Sequence, residues 1–492
     1  MNPTRKKLFI YIGLFLVVIV GGIYIFTSEQ NQSQAPAAME MGHVDNMGSM
    51  GNMSMGDTSN KGIPVTHFTA PKTNAPTKTF TLIAESKKIN LGNGITTDAL
   101  TFNGTVPGPE LRVTQGDRVV VHLINKLNTG VTIHWHGVDV PGAEDGIAGV
   151  TQDAVKPGQT FTYTFIANQP GTYWYHSHQD SFNQVGKGLF GAFVVDPKKP
   201  AVKYDKDYTL TLHDWNIPGN NVFTVNGTSS GVHLAAKPGE QVRLRLINTG
   251  NATHLLTLTG AKFSVIALDG HDISGPSPIE KTLLPVGAAG RCDISFKMPA
   301  NGVVKLVDAD VSDNENKMIS ATIGNGQPVS DNSNPKEYPR FDFTTYGVHQ
   351  RGIYSLSTSF TKTYDLKLGE GMTINGKLAP NIPPIEVKQG DSVKITLENN
   401  SSLIHPMHLH GHTFQVLSKN GKPLSGSPIY LDTLNMMPKD SYVIAFQANN
   451  PGIWMFHCHD LSHAAVGMDV MVYYQGISTP YKVGNNSGNN PE

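Results

Sequence analysis

Residues 457–468 read HCHDLSHAAVGM, with a lone thiol at Cys458, an imidazole five residues on at His463 and a thioether five residues further at Met468. Thiolate, imidazole and thioether are soft donors that suit copper, and two His, one Cys and a weak axial Met make the blue one-electron copper geometry. Successive side chains of a strand face opposite ways, so His457 and His459 are expected to point away from Cys458. One short strand then joins a one-electron copper on one face to a second metal centre on the other, across on the order of 10 Å of chain. Three further clusters offer donors for that centre: His134 and His136 in HWHG, His176 and His178 in WYHSH, and His405, His408 and His410 in HPMHLH. Four separate clusters with a His-x-His pair, among 19 His in 492 residues, exceed the ~0.7 pairs expected by chance, so the set speaks for metal binding where one pair would not.

The elements that position these donors are legible as repeats. NQPGTYWYHSH (168–178) matches NNPGIWMFHCH (449–459), and VTQGDRVVVHLINKL (113–127) matches VKQGDSVKITLENN (387–400), with a third copy in AAKPGEQVRLRLINTG (235–250). Self-similarity at long spacing means copies of one unit. Each copy alternates Val, Ile and Leu with polar residues between Pro-Gly, Gln-Gly-Asp and Asn-Gly turns, the pattern of short antiparallel strands in a sandwich. We read an all-β chain of three β-sandwich domains, 67–197, 198–335 and 336–480, followed by a disordered tail, 481–492. The middle domain has no clustered histidines, and its counterpart of the ligand strand, MPANGVVKLVD (298–308), lacks them, so a structural role is expected. A centre drawn from the first and third domains must lie between them.

The four histidine segments resemble, in order, the copper-ligand motifs of the multicopper oxidase family, of laccase or copper-resistance type, over about residues 67 to 480. The resemblance implies three cupredoxin-like Greek-key domains and four copper ions. It assigns His405, Cys458 and His463, with Met468 axial, to the mononuclear type 1 copper. His134 and His408 would hold the type 2 ion, and His136, His176, His178, His410, His457 and His459 the coupled type 3 pair. Such an enzyme takes single electrons from a reducing substrate and reduces dioxygen to water. Asp145 in VPGAEDG resembles the acidic residue that family members place near the trinuclear cluster to supply protons. In several relatives a second acid directly follows the last type 1 His, but here that position is Ala464, and Asp460 is a candidate substitute. Asp432 is read as a group that accepts a proton from a phenol. Phenols and aromatic amines, or Cu(I) and other metal ions, are the expected donors. A copper-storage protein without turnover is the alternative from another class, and a copper nitrite reductase is disfavoured by the complete set of type 3 histidines.

Composition narrows the partners. A formal charge of −1 and no basic patch leave no footprint for nucleic acid, and a monomer is expected. Of the two cysteines, Cys292 in RCDISF reads as a buried thiol, so no disulfide framework exists. His213, His233, His254, His271 and His349 stand singly and are read as structural, while His412 falls outside the ligand register. Arg5, Lys6 and Lys7 precede an uncharged apolar stretch, Leu8 to Phe26, long enough for a bilayer span. Basic residues before the span put residues 1–30 in the membrane as an anchor and the enzyme outside, secretion after cleavage being the alternative. Residues 31–66 form a polar tail too poor in apolar bulk to fold, in which Met39, Met41, Met47, Met50, Met53 and Met55 offer thioethers to Cu(I).

Overall fold

A computed structural model describes residues 62–217, 220–309, 319–326, 334–484 and 486–492. The regular structure there is almost entirely strand, in three two-sheet sandwiches. RVVVHLIN (118–125) and SVKITLEN (392–399) bury every second residue, with Val119, Val121 and Leu123, and Val393, Ile395 and Leu397, at 0% exposure. The middle copy, Gln241–Asn248, departs from alternation and is buried continuously from Leu244 onward. The cause is a neighbour on its second face: Arg245 donates to Thr172 Oγ1 of the first sandwich and to Asp207 Oδ1, both at 2.8 Å.

Purely antiparallel pairing was expected, and the structure differs in one repeated respect. In each sandwich the repeated strand lies parallel to an earlier one: Arg118–Asn125 beside Thr77–Asn90, Gln241–Asn248 beside Lys206–Ile217, and Ser392–Asn399 beside Lys362–Gly369. Between the two partners the chain contributes a strand to the opposite sheet, and it returns in the same direction, as a Greek-key path requires. Each repeated strand ends on a buried asparagine, Asn125, Asn248 or Asn399. Its amide donates to two backbone carbonyls and its oxygen accepts the amide two residues on. The corner is the same in all three copies.

The first sandwich has its own apolar core, while the second and third share one. Trp174, Val185 and Phe190, Ile247 and Ala289, and Leu461, contributed by the three sandwiches in turn, form a common cluster. Residues 481–492, expected to be a disordered tail, are instead packed: Asn489 and Glu492 are 2% and 3% exposed, and Asn489 accepts the Ala154 amide at 2.8 Å. Satisfied backbone and side-chain polar groups hold this Asn-rich stretch where apolar bulk is lacking. No helix among the described residues is long and apolar enough to cross a membrane. The expected anchor and Met-rich tail, up to residue 61, lie outside the described residues.

His254, read as structural, is the strut of the middle sandwich. Its Nδ1 lies 2.6 Å from Asp308 Oδ2 and its Nε2 3.5 Å from Asp214 Oδ2. Burial opposes its charge, but the two carboxylates outweigh it and raise its pKa to about 10. A raised folded-state pKa stabilises fully below the unfolded value near 6.5 and loses that contribution as pH rises through the folded one. Substituting His254→Gln is therefore expected to cost roughly 3 kcal/mol at pH 6. Denaturant titrations at several pH values should show the gap to the parent protein closing towards pH 10.

Candidate metal centre

The third sandwich presents its donors on both faces of one sheet. Ile453–Cys458 pairs antiparallel with His405–Leu409, Met407 opposite Cys458 and His408 opposite His457. Alternation then puts Cys458 and His405 on one face and His408 and His457 on the other. Cys458 Sγ lies 3.7 Å from His405 Nδ1 and 3.5 Å from His463 Nδ1, and the three form a buried group. Ser401, at the repeated asparagine corner, holds His405 Nε2 at 2.8 Å. Met468 is fully buried and is tied to the group through its backbone, its carbonyl accepting from the Cys458 amide at 3.0 Å. Burial raises the Cys458 thiol well above its ordinary pKa, so the thiolate needs a cation to form.

On the opposite face, eight imidazoles close a chamber between the first and third sandwiches. His134–His136 pairs with Gly171–His176, His134 opposite His176, while Trp135 and Tyr175 between them fill the first core. Three donor groups result: His134, His136 and His408; His136, His176 and His459; and His178, His410 and His457. Each combines residues of both sandwiches. Burial, then neighbouring imidazoles, hold His136, His176, His178, His410, His457 and His459 well below the usual imidazole range, so they stay neutral at pH 7.

A neutral imidazole carries one N–H and one lone pair, and a fixed acceptor for the first aims the second. Here Nδ1–H of His134 donates to Asp145 O, of His176 to Ser177 O, of His178 to Pro491 O, of His408 to Asp432 O and of His457 to Cys458 O, all at 2.9–3.0 Å. His410 Nδ1 donates to Asp145 Oδ2 at 3.0 Å. His136 is reversed: Nε2 faces Thr433 Oγ1 at 3.1 Å, and Nδ1 turns inward without a partner. The Nε2 atoms of His410 and His457 consequently meet at 3.0 Å with a lone pair each. Two facing lone pairs in a dry site repel unless a cation lies near both. His176 Nε2, His178 Nε2 and both His459 nitrogens are likewise buried without partners. This donor set fits metal ions.

Asp145 lies between ligand candidates of two sandwiches, its Oδ1 3.1 Å from His134 Nδ1 and its Oδ2 3.0 Å from His410 Nδ1. The turn behind it requires Gly146, at φ +76°, where a Cβ would fall 1.8 Å from Ile133 O. Asp460 and Asp432 are placed differently from their sequence readings. Asp460 caps the helix Leu461–Ala464 by accepting from Ser462, and its Oδ2 lies 3.5 Å from His463 Nε2, so it faces the thiolate group, not the chamber. Asp432 is 1% exposed and cannot meet a phenol. It lies at the chamber wall, 3.2 Å from His136 Nε2 and 3.3 Å from His408 Nδ1. Burial opposes its ionisation, but Arg291 holds its carboxyl well below the usual range.

Two contributions had no sequence signal. A carbonyl such as Pro491 O carries no residue signature. Glu492, in a stretch of Asn, Gly and Pro, places Oε1 3.3 Å from His457 Nδ1 and 4.0 Å from His178 Nε2, and its Oε2 accepts from Ser181 at 3.1 Å. Burial raises its pKa well above the carboxylate range. Glu492 is thus a further acid beside the chamber with Asp145 and Asp432, distant in sequence from the motif position occupied by Ala464.

Models of multicopper oxidase domains match residues 84–200, 195–328 and 350–476. Laccase-1 of Botryotinia fuckeliana is 30% identical, the alignment covering 82% of each chain. This chain belongs to the multicopper oxidase family. Multicopper oxidase MmcO of Mycobacterium tuberculosis is 29% identical to the oxidase over 81% of this chain and 87% of its own. A solved multicopper oxidase from Campylobacter jejuni, described as a metallo-oxidase, shares 26% identity and a TM-score of 0.66, over 85% of this chain and 95% of its own. The oxidase is an oxidoreductase that uses copper and dioxygen with a reducing substrate or metal ion. For Asp145→Ala we expect copper affinity at the chamber to fall about 10–100-fold, because the partner of His410 and the carboxylate beside His134 are lost. Copper-to-protein ratios after dialysis against graded chelator would measure it.

Proposed function

We propose that His405, Cys458 and His463, with Met468 axial, hold the type 1 copper, that His134 and His408 hold the type 2 copper, and that the remaining six histidines hold the type 3 pair. The observation that carries this reading is the facing of the inward nitrogens, above all those of His410 and His457. Bound copper supplies one-electron steps and the site of dioxygen reduction. The chain supplies the rest. Cys458 lies between His457 and His459 on one strand and gives the shortest through-bond path between the two donor groups. Asp145 and Glu492 flank the chamber as buried acids. Their position supports a role in passing protons to the oxygen atoms.

The donor meets the protein at His463. Its Nε2 is turned to Asp460, whose side chain is 24% exposed, and the segments carrying His405 and His463 expose Leu403 and Val466 to 38% and 45%. An apolar rim with one carboxylate suits a phenol or aromatic amine. Met436 packs in the core opposite His405 and offers no exposed thioether to a metal donor. Cu(I) is the second reading, favoured by the six methionines between Met39 and Met55. We further propose an N-terminal anchor that leaves the oxidase outside the cytoplasmic membrane as a monomer.

Oxygen uptake by copper-loaded protein, with a simple phenol and then Cu(I) as donor, tests the reading. Uptake should follow bleaching and return of the blue band, and Cys458→Ser should abolish both while copper bound in the chamber persists. A parent protein that bleaches but consumes no oxygen refutes the chamber assignment. Deleting residues 39–55 should lower Cu(I) bound per chain by equilibrium dialysis, and unchanged stoichiometry would reduce the tail to a tether.

A further inference from the structure

Among the described residues the middle sandwich contributes to no metal-donor group, yet it sends one side chain to the chamber wall. Arg291 opens the strand Arg291–Lys297 and is fully buried. Its Nη1 donates to Asp432 Oδ1 at 2.8 Å and its Nη2 to Asp432 Oδ2, a bidentate fork. Two further contacts fix it, Nη1 to Ala289 O at 3.0 Å and Nε to Thr172 O of the first sandwich at 3.3 Å. Asp269 links the same strand to the third sandwich, its carboxylate accepting from the Arg291 amide at 2.9 Å and from the Thr433 amide at 3.1 Å. Asp432 in turn contacts His136 of the first sandwich and His408 of the third, and accepts from Thr433 Oγ1 at 2.8 Å.

The glycine of HWHG is an independent mark of this arrangement. Gly137 follows His136 with φ +83°, and a Cβ there would lie 2.4 Å from Arg291 Nη2 and 2.6 Å from Asp432 Oδ2. The guanidinium–carboxylate pair occupies the space that any other residue would fill.

We infer that Arg291 is a positioning residue for dioxygen reduction: through Asp432 it sets the orientation of His136 and His408, so the copper-free domain is part of the oxygen site. A carboxylate held by a planar fork is fixed in direction as well as charge. The fixed carboxylate also fixes Thr433 Oγ1, which donates to it and lies 3.1 Å from His136 Nε2 and 3.2 Å from His408 Nδ1, so the rotation of each ring is limited by the pair. Because His136 turns Nδ1 into the chamber with its Nε2 on this pair, a rotation there displaces its lone pair directly. The inference rests on the ligand assignment proposed above.

The test uses full-length, copper-loaded protein with Arg291→Lys, which keeps the charge and loses the fork, Arg291→Gln, and Gly137→Ala, which crowds the pair without removing it. Copper per chain, the type 2 electron paramagnetic resonance signal, the blue band, and kcat and KM for a phenol are measured together. We expect an unchanged blue band and KM, an altered or lost type 2 signal, and kcat reduced at least about tenfold, with Arg291→Lys milder than Arg291→Gln. Variants that load four coppers with the parent's type 2 signal and kcat, and differ only in thermal stability, overturn the inference and leave Arg291 a domain clamp. If Arg291→Gln fails to fold, Gly137→Ala and Arg291→Lys decide by the same criteria. A parent protein without a type 2 signal refutes the ligand assignment itself.

Discussion

The structure depends on one constraint: a neutral imidazole offers a lone pair to a metal only where something else holds its N–H. Seven of the eight chamber histidines meet it with a named oxygen: the carbonyls of Asp145, Ser177, Asp432, Cys458 and Pro491, the Asp145 carboxylate and the Thr433 hydroxyl. Oxygens so scattered along the chain can surround one volume only when the sandwiches are docked. The salt bridges and apolar cluster joining them therefore serve the chamber as directly as the ligands do. Burial lowers the pKa of His136, His176, His178, His408, His410, His457 and His459, and the same burial makes unpartnered nitrogens costly without a cation.

How far this was legible in the sequence follows from what a residue type reveals. The period of two in HCH and HPMHLH places donors on opposite faces of a sheet, and the two faces do separate Cys458 from His457. The repeats located the three sandwiches because turns and alternation are local. The orientation of His136, the carbonyl acceptors and Glu492 depend on contacts between distant segments, and no spacing encodes them. Asp432 was misread for the same reason: its sequence neighbours suggested a loop, whereas Arg291, remote in sequence and singled out only for the adjacent thiol, buries it. Asp460 was read as a cluster acid from its position after His459, yet the first turn of a short helix claims its side chain.

The middle sandwich illustrates how a repeat without the motif can still matter. It keeps the asparagine corner and the parallel pair, shares its core with the third sandwich, and contributes Arg245 against the first sandwich and Arg291 where the other two meet. Its role is read from its edges, where alternation breaks down, more than from its interior, where the pattern is ordinary.

The grouping of His136 with His459 has a further consequence for the physical state of the chain. A metal held by both closes a loop of more than three hundred residues, and a constraint of that length removes conformational freedom chiefly from the unfolded ensemble. Extracellular proteins usually obtain such cross-links from disulfides, but both thiols here are buried and free. Metal loading would then act as the covalent staple does elsewhere, reversible by chelation instead of reduction.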